Sequence, residues 1–187
     1  MFRYINQIKS IVYIIIYKIK YRNKISILPK QRLGKFLSIN ISKNEESYIE
    51  IDNFFHTKRN VSIHSHGGKI IIGKNVFFNE NCNIVSHKNI IINENSTFGP
   101  NVCIYDHDHN YLNGGFIADD IVIGRNVWVG ANSVILRGTT IGDNCVIGAG
   151  SVVRGHYQAN TKIVQNRDLN LKRIYNSEEI KNEFSKS

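Results

Sequence analysis

The stretch that decides the fold reads Ile123-Gly-Arg-Asn-Val-Trp, Val129-Gly-Ala-Asn-Ser-Val, Ile135-Leu-Arg-Gly-Thr-Thr, Ile141-Gly-Asp-Asn-Cys-Val and Ile147-Gly-Ala-Gly-Ser-Val. Each unit of six residues begins with a large aliphatic residue, often continues with Gly, and usually has a small or β-branched residue in fifth place. Gly and Asn tolerate left-handed backbone angles, so the pattern is typical of a short strand followed by a tight corner. Three such strands close one coil, and stacked coils bury a continuous core. A fixed period of six disfavours a β-sandwich, whose turns recur about every 8–12 residues.

The same period runs through the preceding part of the chain, where units open at Ile72, Phe78, Ile84, Ile92, Phe98 and Ile104, with a two-residue slip before Ile92. Residues 36–70 are expected to form less regular starting coils. The fifth position of a unit has room only for small residues, here Val76, Cys82, Ser96, Val102, Ser133 and Cys145. Cys82 and Cys145 are therefore expected to be structural, and the odd set of three cysteines favours a reducing compartment. The sequence predicts an all-β chain folded as a left-handed parallel β-helix.

The net charge of +9 belongs to one segment of the chain. Residues 1–35 carry nine Lys and Arg and no Asp or Glu, whereas the other residues hold 15 basic and 15 acidic side chains. A balanced body argues against nucleic-acid binding and indicates an N-terminal patch with a partner of its own.

The N-terminal segment has the periodicity of an amphipathic helix, with apolar residues at Met1, Tyr4, Ile5, Ile8, Ile11, Val12, Ile15 and Ile19. Its longest uncharged apolar run is far shorter than the ~20 residues that span a bilayer, and no cleavage site typical of a signal peptide follows. Two interpretations stay open. The helix packs on its own domain or trimer, or residues 1–24 lie on an anionic membrane surface with Tyr13, Tyr17 and Tyr21 at the headgroup level.

The period breaks over residues 105–120, where a polar insertion predicts an external loop. The insertion opens with Asp106-His-Asp-His109. A His-x-His pair has three interpretations: a metal site, a catalytic group or a solvated turn. A metal site needs further ligands, which His64, His66 or His87 could supply only if they stacked nearby. The position of the pair, where the coil stops, favours a neutral imidazole that removes a proton from a hydroxyl.

The stretch from Ile123 to Val153, together with the Asp-His-Asp-His loop, resembles the hexapeptide-repeat acetyltransferases. The family includes galactoside and maltose acetyltransferases and O-acetyltransferases of bacterial surface polysaccharides, and the resemblance covers about residues 60–173. In the galactoside type, the catalytic His follows a Gly/Ala-Pro-Asn-Val turn at a fixed distance, and the same distance from Gly99-Pro-Asn-Val reaches His109. The resemblance therefore implies that His109 is the catalytic base and that acetyl-CoA is the donor.

The resemblance also implies contacts with the acceptor. Asn79 matches an acceptor-binding Asn, and Ser65 matches a Ser that contacts the substrate. His87 replaces a carboxylate that contacts the sugar, which argues against a galactoside acceptor. The loop residues expected to contact the substrate are His107, Asp106 and Asp108, and one of the two carboxylates is expected to orient an imidazole.

The family holds acetyl-CoA between coils of neighbouring subunits in a trimer. The matching positions here are Trp128, Gly130, Ala131, Gly148 and Ala149. Small residues there would let the pantetheine arm approach the backbone. The family's usual Thr-Lys-Asp-Ile-Pro is replaced by Arg154-Gly-His-Tyr-Gln, and the candidates for phosphate contacts are, by charge, Arg154, Lys162, Lys172 and Arg173.

These observations predict three parts: a basic amphipathic helical segment over 1–35, a β-helix catalytic domain over 36–165 with the loop 105–120, and a short C-terminal helix or tail over 166–187. The predicted function is acetyl-CoA-dependent O-acetylation of a sugar hydroxyl, on a capsule, lipopolysaccharide or lipid-linked precursor. The predicted location is cytoplasmic, with peripheral contact at the inner face of the membrane as the open alternative.

Three other functions fit parts of the sequence. The first is acetylation of a small soluble acceptor: a free sugar, a xenobiotic or serine. The second is a zinc enzyme resembling carbonic anhydrase, which would need His at a different loop spacing, so no metal is expected. The third is a non-catalytic scaffold, which the intact His109 disfavours.

Overall fold

The computed structural model describes residues 2–43 and 46–165. The chain begins with helix α1 (Phe2–Tyr21), and a short 3₁₀ turn (Arg22–Lys24) follows. The strands of the described residues are β1 (Ile25–Ile27), β2 (Ser38–Ile41), β3 (Tyr48–Ile51), β4 (His56–Thr57), β5 (Ser62–Ser65), β6 (Lys69–Ile72), β7 (Phe77–Phe78), β8 (Asn83–Ser86), β9 (Asn89–Ile92), β10 (Thr97–Phe98), β11 (Cys103–Tyr105), β12 (His107–His109), β13 (Phe116–Ala118), β14 (Ile121–Ile123), β15 (Trp128–Val129), β16 (Val134–Leu136), β17 (Thr140–Ile141), β18 (Val146–Ile147), β19 (Val152–Val153), β20 (His156–Tyr157) and β21 (Lys162–Ile163).

Three parallel sheets form the faces of a solenoid. The first sheet has the order β1-β3-β6-β9-β14-β17-β20, the second β4-β7-β10-β15-β18-β21, and the third β2-β5-β8-β11-β16-β19. The register stacks the residues that open the units, so that Ile104 lies between Ile84 and Ile135. The predicted parallel β-helix, its N-terminal helix and its external loop are confirmed. The predicted C-terminal helix lies in residues 166–187, outside the described residues.

The residues that open each unit and those in fifth place supply much of the core. The first group is buried throughout: Ile72, Phe78, Ile84, Ile92, Phe98, Ile104, Ile123, Val129, Ile135, Ile141 and Ile147. The fifth-place residues named from the sequence are also buried: Val76, Cys82, Ser96, Val102, Ser133 and Cys145. Burial raises the pKa of the Cys82 thiol to about 11, so this cysteine stays a protonated packing residue.

The corners explain why the chain is rich in Asn. Nine corner asparagines have positive φ angles: Asn60, Asn75, Asn81, Asn95, Asn101, Asn126, Asn132, Asn144 and Asn160. Asn adopts this conformation at lower cost than bulky residues because its short polar side chain bonds locally. The amides also stack from coil to coil: Asn126 Nδ2 donates to Asn144 Oδ1, and Asn144 Nδ2 donates to Asn160 Oδ1, both at 3.0 Å.

The solenoid begins earlier than the sequence division at residue 35 suggests. Strand β1 already pairs with β3, so the first coil lies inside the segment assigned to the N-terminal helix. Residues 36–70 also join the three sheets in regular register. The slip before Ile92 has a simple cause: β9 turns both Ile90 and Ile92 inward, which lengthens that side of the coil by two residues.

Helix α1 packs on the first coils through its tyrosines. Ser10 and Ile14 are buried, Tyr17 Oη donates to Leu37 O at 2.8 Å, and Tyr21 Oη donates to Ile39 O at 2.9 Å. The tyrosine side chains therefore face the solenoid, which corrects the expectation that they lie at a membrane headgroup level. The remaining surface of α1 exposes the apolar side chains of Ile8, Ile11, Val12, Ile15, Ile16 and Ile19. No helix in the described part of the chain is long and apolar enough to cross a bilayer.

Candidate functional site

A histidine cluster lies at the corner that follows the strands of the third sheet. It contains His64, His66, His87, His107 and His109, contributed by successive coils and by the external loop. The ring centroids of His66 and His87 are 5.7 Å apart, and those of His87 and His107 are 4.1 Å apart. The stacking that the sequence alone could not establish is therefore present.

The external loop is a β-hairpin. Strands β12 and β13 pair antiparallel, with His109 opposite Phe116. Gly114 and Gly115 turn the chain with φ angles of +72° and +74°, which L side chains rarely adopt. The His109 side chain is exposed, so its imidazole is accessible to a molecule that binds beside the hairpin.

Phe116 braces the imidazoles from the second strand of the hairpin. Its ring centroid lies 4.0 Å from that of His87 and 4.8 Å from that of His109. Sequence reasoning missed this residue, because its only signal is its place inside the insertion. The phenyl ring forms an apolar wall beside the two imidazoles.

Asp106 is the buried anchor of the corner. Its carboxylate accepts hydrogen bonds from Ser86 Oγ at 2.6 Å, His87 N at 2.7 Å and Lys88 N at 2.9 Å. His107 Nδ1 lies 3.4 Å from the same carboxylate. Of the two aspartates considered from the sequence, Asp106 thus contacts an imidazole, and that imidazole belongs to His107. Its main role is to hold the turn of the preceding coil.

Asp108 contacts arginines instead. Arg137 Nε donates to Asp108 Oδ2 at 2.5 Å, and Arg154 Nη1 lies 3.7 Å from the same oxygen. Arg137 Nη1 also donates to Asp119 Oδ2, just after β13. Sequence reasoning missed Arg137. The sequence shows that Arg137 belongs to the unit that opens at Ile135, but its pairing with Asp108 and Asp119 depends on how the chain folds.

Burial controls the charge of His87. Burial lowers the pKa of His87, and the positive charge of a protonated His107 would lower it further. His87 is therefore neutral near pH 7 and available as a hydrogen-bonding or packing group. In the described residues, no group of three or more His, Cys, Asp or Glu is arranged to hold a metal ion.

The residues that the resemblance assigns to acetyl-CoA follow a different corner, after the strands of the second sheet. Gly130 and Ala131 come directly after β15, and Gly148 and Ala149 come after β18. A Cβ at Gly130 would lie 2.4 Å from Ala149 N, so Gly is required there by the contact between successive coils. The indole of Trp128 is half exposed beside this corner.

The residues predicted from the sequence to bind the acceptor do not all lie at one site. Asn79 follows β7 at the second-sheet corner, where its Oδ1 accepts a hydrogen bond from Glu80 N at 2.9 Å. Ser65 is fully buried, and its hydroxyl donates to Gly68 O at 2.6 Å, so it supports a turn. Within the described residues, no contact joins Asn79 to the histidine cluster. Lys162 begins β21 with an exposed side chain, and Lys172 and Arg173 lie outside the described residues.

Comparisons with known proteins agree with the β-helix fold. The family model named bacterial transferase hexapeptide (six repeats) matches residues 120–155. Galactoside O-acetyltransferase of Escherichia coli (strain K12) is 37% identical over 143 residues, which cover 67% of this chain and 70% of that enzyme. WbbJ of the same strain, which carries the name of a lipopolysaccharide biosynthesis O-acetyl transferase, is 34% identical over 114 residues. That match covers 51% of this chain and 56% of WbbJ, so the chain spans little more than half of that relative.

A solved structure extends the similarity to most of the chain. The crystal structure of a maltose O-acetyltransferase from Clostridium difficile 630 has a TM-score of 0.50 and 26% identity, and the match covers 91% of this chain and 89% of that one.

Proposed function

Because the chain belongs to the hexapeptide-repeat acetyltransferase family, we propose that it is an acetyl-CoA-dependent O-acetyltransferase acting on a sugar hydroxyl. The observation that carries this proposal is the exposed imidazole of His109 on a hairpin braced by Phe116 and Arg137. An accessible base held in one place is what deprotonation of an alcohol requires.

The reaction follows from the chemistry of that group. His109 removes the proton from the acceptor hydroxyl as the oxygen attacks the thioester carbonyl of acetyl-CoA. The C–S bond then breaks, CoA leaves as the thiolate, and the imidazolium returns the proton to sulfur. His107, held beside Asp106, and neutral His87 are proposed to contact the acceptor.

We further propose that the site is completed between copies of the chain in a homotrimer. His109 and Asn79 follow strands of different sheets, so one chain presents them at different corners of the solenoid. A second copy would bring its second-sheet corner against the histidine cluster. Trp128, Gly130, Ala131, Gly148 and Ala149 would then border the pantetheine arm. Arg154, which lies beside Asp108, and Lys172 and Arg173 are the proposed phosphate contacts.

The proposed acceptor is a bacterial surface glycan or its lipid-linked precursor. The exposed face of α1 supports this, because the lysines Lys9, Lys18 and Lys20 accompany an outward apolar stripe, as in helices that lie on anionic membranes. The match to WbbJ supports the same class of acceptor. The match to galactoside O-acetyltransferase favours the second candidate, acetylation of a free sugar.

The test is release of CoA thiol from acetyl-CoA with a panel of acceptors: free sugars, nucleotide sugars, capsule and lipid-linked oligosaccharides, chloramphenicol and serine. Wild type, His109→Ala and His107→Ala would be compared. Loss of a general base costs about 10²–10⁴-fold in rate, so we expect turnover with a glycan and its loss in His109→Ala.

Two outcomes would contradict parts of the proposal. If His109→Ala retains turnover and His107→Ala loses it, the base has been placed two residues too far along the hairpin. If no acceptor supports turnover and acetyl-CoA does not bind, the acetyltransferase proposal fails.

A further inference from the structure

A groove of about 1240 Å³ runs along one side of α1, between the helix and the first coils of the solenoid. Its apolar wall includes Ile8, Val12 and Ile16 of the helix and Leu33 of the first coil. Its volume exceeds the roughly 300–1,000 Å³ of common small-molecule pockets. The groove is therefore large enough for an extended hydrocarbon chain.

The opposite side of the groove is cationic. Arg32, Lys35, Lys58 and Arg59 line it, and Lys9 adds a fifth positive charge from the helix. The acidic residue among the lining side chains, Glu80, accepts a hydrogen bond from Arg59 Nε at 3.0 Å. Within the described residues, no ion pair neutralises Arg32, Lys35 or Lys58. Burial lowers the pKa of His56, which also lines the groove, and the charges of Arg32 and Lys58 lower it further.

The cationic side continues into the corner that carries Asn79. Lys58 and Arg59 follow β4, and Asn79 and Glu80 occupy the equivalent place after β7, one coil further along. Lys58 N donates to Phe78 O at 2.9 Å, which places the two corners in direct contact. If the anionic group of a ligand binds Lys58, the part of the ligand attached to that group would therefore lie beside Asn79.

We propose that this groove binds the lipid-phosphate end of the acceptor, with the hydrocarbon chain against Ile8, Val12 and Ile16 and the phosphate on Arg32, Lys35 and Lys58. The inference rests on the proposed function, since it names the acceptor of that reaction as a lipid-phosphate-linked saccharide whose sugar lies at the Asn79 corner. A phosphate group binds to fixed cations, and a hydrocarbon chain binds to an apolar surface. The groove has both along its two sides, so one ligand could contact both.

The shape of the surface favours a single lipid over a bilayer. The groove is an open channel lined on one side by the helix and on the other by the solenoid, whereas a flat membrane would contact the outward face of α1 at Ile11, Ile15 and Ile19. Val12 and Ile15 are equally exposed, at 50% and 52%, but only Val12 lines the groove. Substitutions at Val12 and Ile15 can therefore distinguish binding in the groove from binding on the outward face of α1.

The experiment is a binding titration of the full chain with farnesyl diphosphate, compared with farnesol and inorganic diphosphate. We expect farnesyl diphosphate to bind more tightly than either fragment. Val12→Glu and the double variant Arg32→Gln/Lys58→Gln are each expected to weaken binding by about tenfold or more, since the first puts a charge in the apolar wall and the second removes two charge-assisted contacts with the phosphate. The controls, Ile15→Glu and Lys74→Gln, are expected to bind as wild type does. Circular dichroism melting would show that each variant is folded.

Equal binding of inorganic diphosphate would reduce the groove to a phosphate site and overturn the proposal. Equal losses in Val12→Glu and Ile15→Glu would show that binding is not confined to the groove and would overturn the proposal. Failure of farnesyl diphosphate to bind, in a protein that still acetylates a soluble acceptor, would overturn this inference alone. Binding without acetyl transfer to any acceptor would instead count against the proposed function and leave the groove as a lipid-phosphate site.

Discussion

Arg137 Nε donates a hydrogen bond of 2.5 Å to Asp108 Oδ2 and thereby joins the solenoid to the hairpin that carries His109. The same guanidinium bonds Asp119, so it holds both strands of the hairpin. Only 16% of the Arg137 side chain is exposed, which limits competition from water. A position next in sequence to the proposed base is thus fixed by a residue 29 positions further along the chain.

Arg137→Gln is expected to lower kcat, by up to about 100-fold, because small displacements of a catalytic group are costly. KM for acetyl-CoA is expected to change less, since Arg137 positions the hairpin without touching the reacting atoms. The control is Arg125→Gln, which removes an exposed arginine–carboxylate pair with Asp143 but leaves the hairpin untouched. Steady-state kinetics of both variants, with Arg137→Lys as a partial rescue, would check this. Equal kcat values in the two Gln variants would refute the positioning role.

Asp106→Asn is expected to destabilise the fold by about 2–4 kcal/mol, because the amide NH2 would replace one acceptor oxygen and face a backbone N–H, that of either His87 or Lys88. The negative charge that both N–H groups stabilise would also be lost. Asp120→Asn is the matched control, since its carboxylate is half exposed and lies 3.6 Å from Lys88 Nζ. A loss below about 1 kcal/mol is expected there. Urea unfolding curves would measure both, and similar losses at the two sites would show that the buried carboxylate is not an anchor.

Gly130→Ala is expected to cost about 1–3 kcal/mol, because the added Cβ would meet the backbone of Ala149. Gly148→Ala occupies the same corner one coil later, where the nearest atom would be a side-chain carbon of Val164 at 3.4 Å, and we expect little change. Thermal melts compare the two. If both variants melt like wild type and both raise KM for acetyl-CoA, the glycines serve the donor and not the coil contact.

Acid is expected to destabilise the protein through its half-buried histidines. Burial lowers the pKa of His56, His64 and His87, so below the unfolded value of about 6.5 the unfolded chain binds more protons than the folded one. Stability is therefore full above that pH and falls as the pH drops through it. His64→Gln is expected to reduce the loss of Tm between pH 7.5 and pH 5, and the exposed His156→Gln serves as control. An unchanged pH dependence in His64→Gln would contradict the linkage.

Local pattern was sufficient to predict the solenoid. Most units between Ile72 and Ile147 repeat the same pattern: a large apolar residue that points inward, a small fifth residue and a corner residue with positive φ. The helix was also predictable from its period, but the direction of its faces was not. The tyrosine stripe and the isoleucine stripe of α1 are both apolar, and only the backbone acceptors at Leu37 and Ile39 decide that the tyrosines turn inward.

The sequence by itself determined the β-helix, the place of the external loop and the concentration of imidazoles in it, because these depend on residues close together in the chain. Only the tertiary structure decided which carboxylate meets which partner: Asp106 turns into the coil and Asp108 turns to Arg137. It also placed Asn79 and His109 at different corners and opened the groove beside α1. Such pairings depend on how the coils stack, because stacking brings together residues about 20–30 positions apart in the chain. Local periodicity does not show which side chains come into contact over that separation.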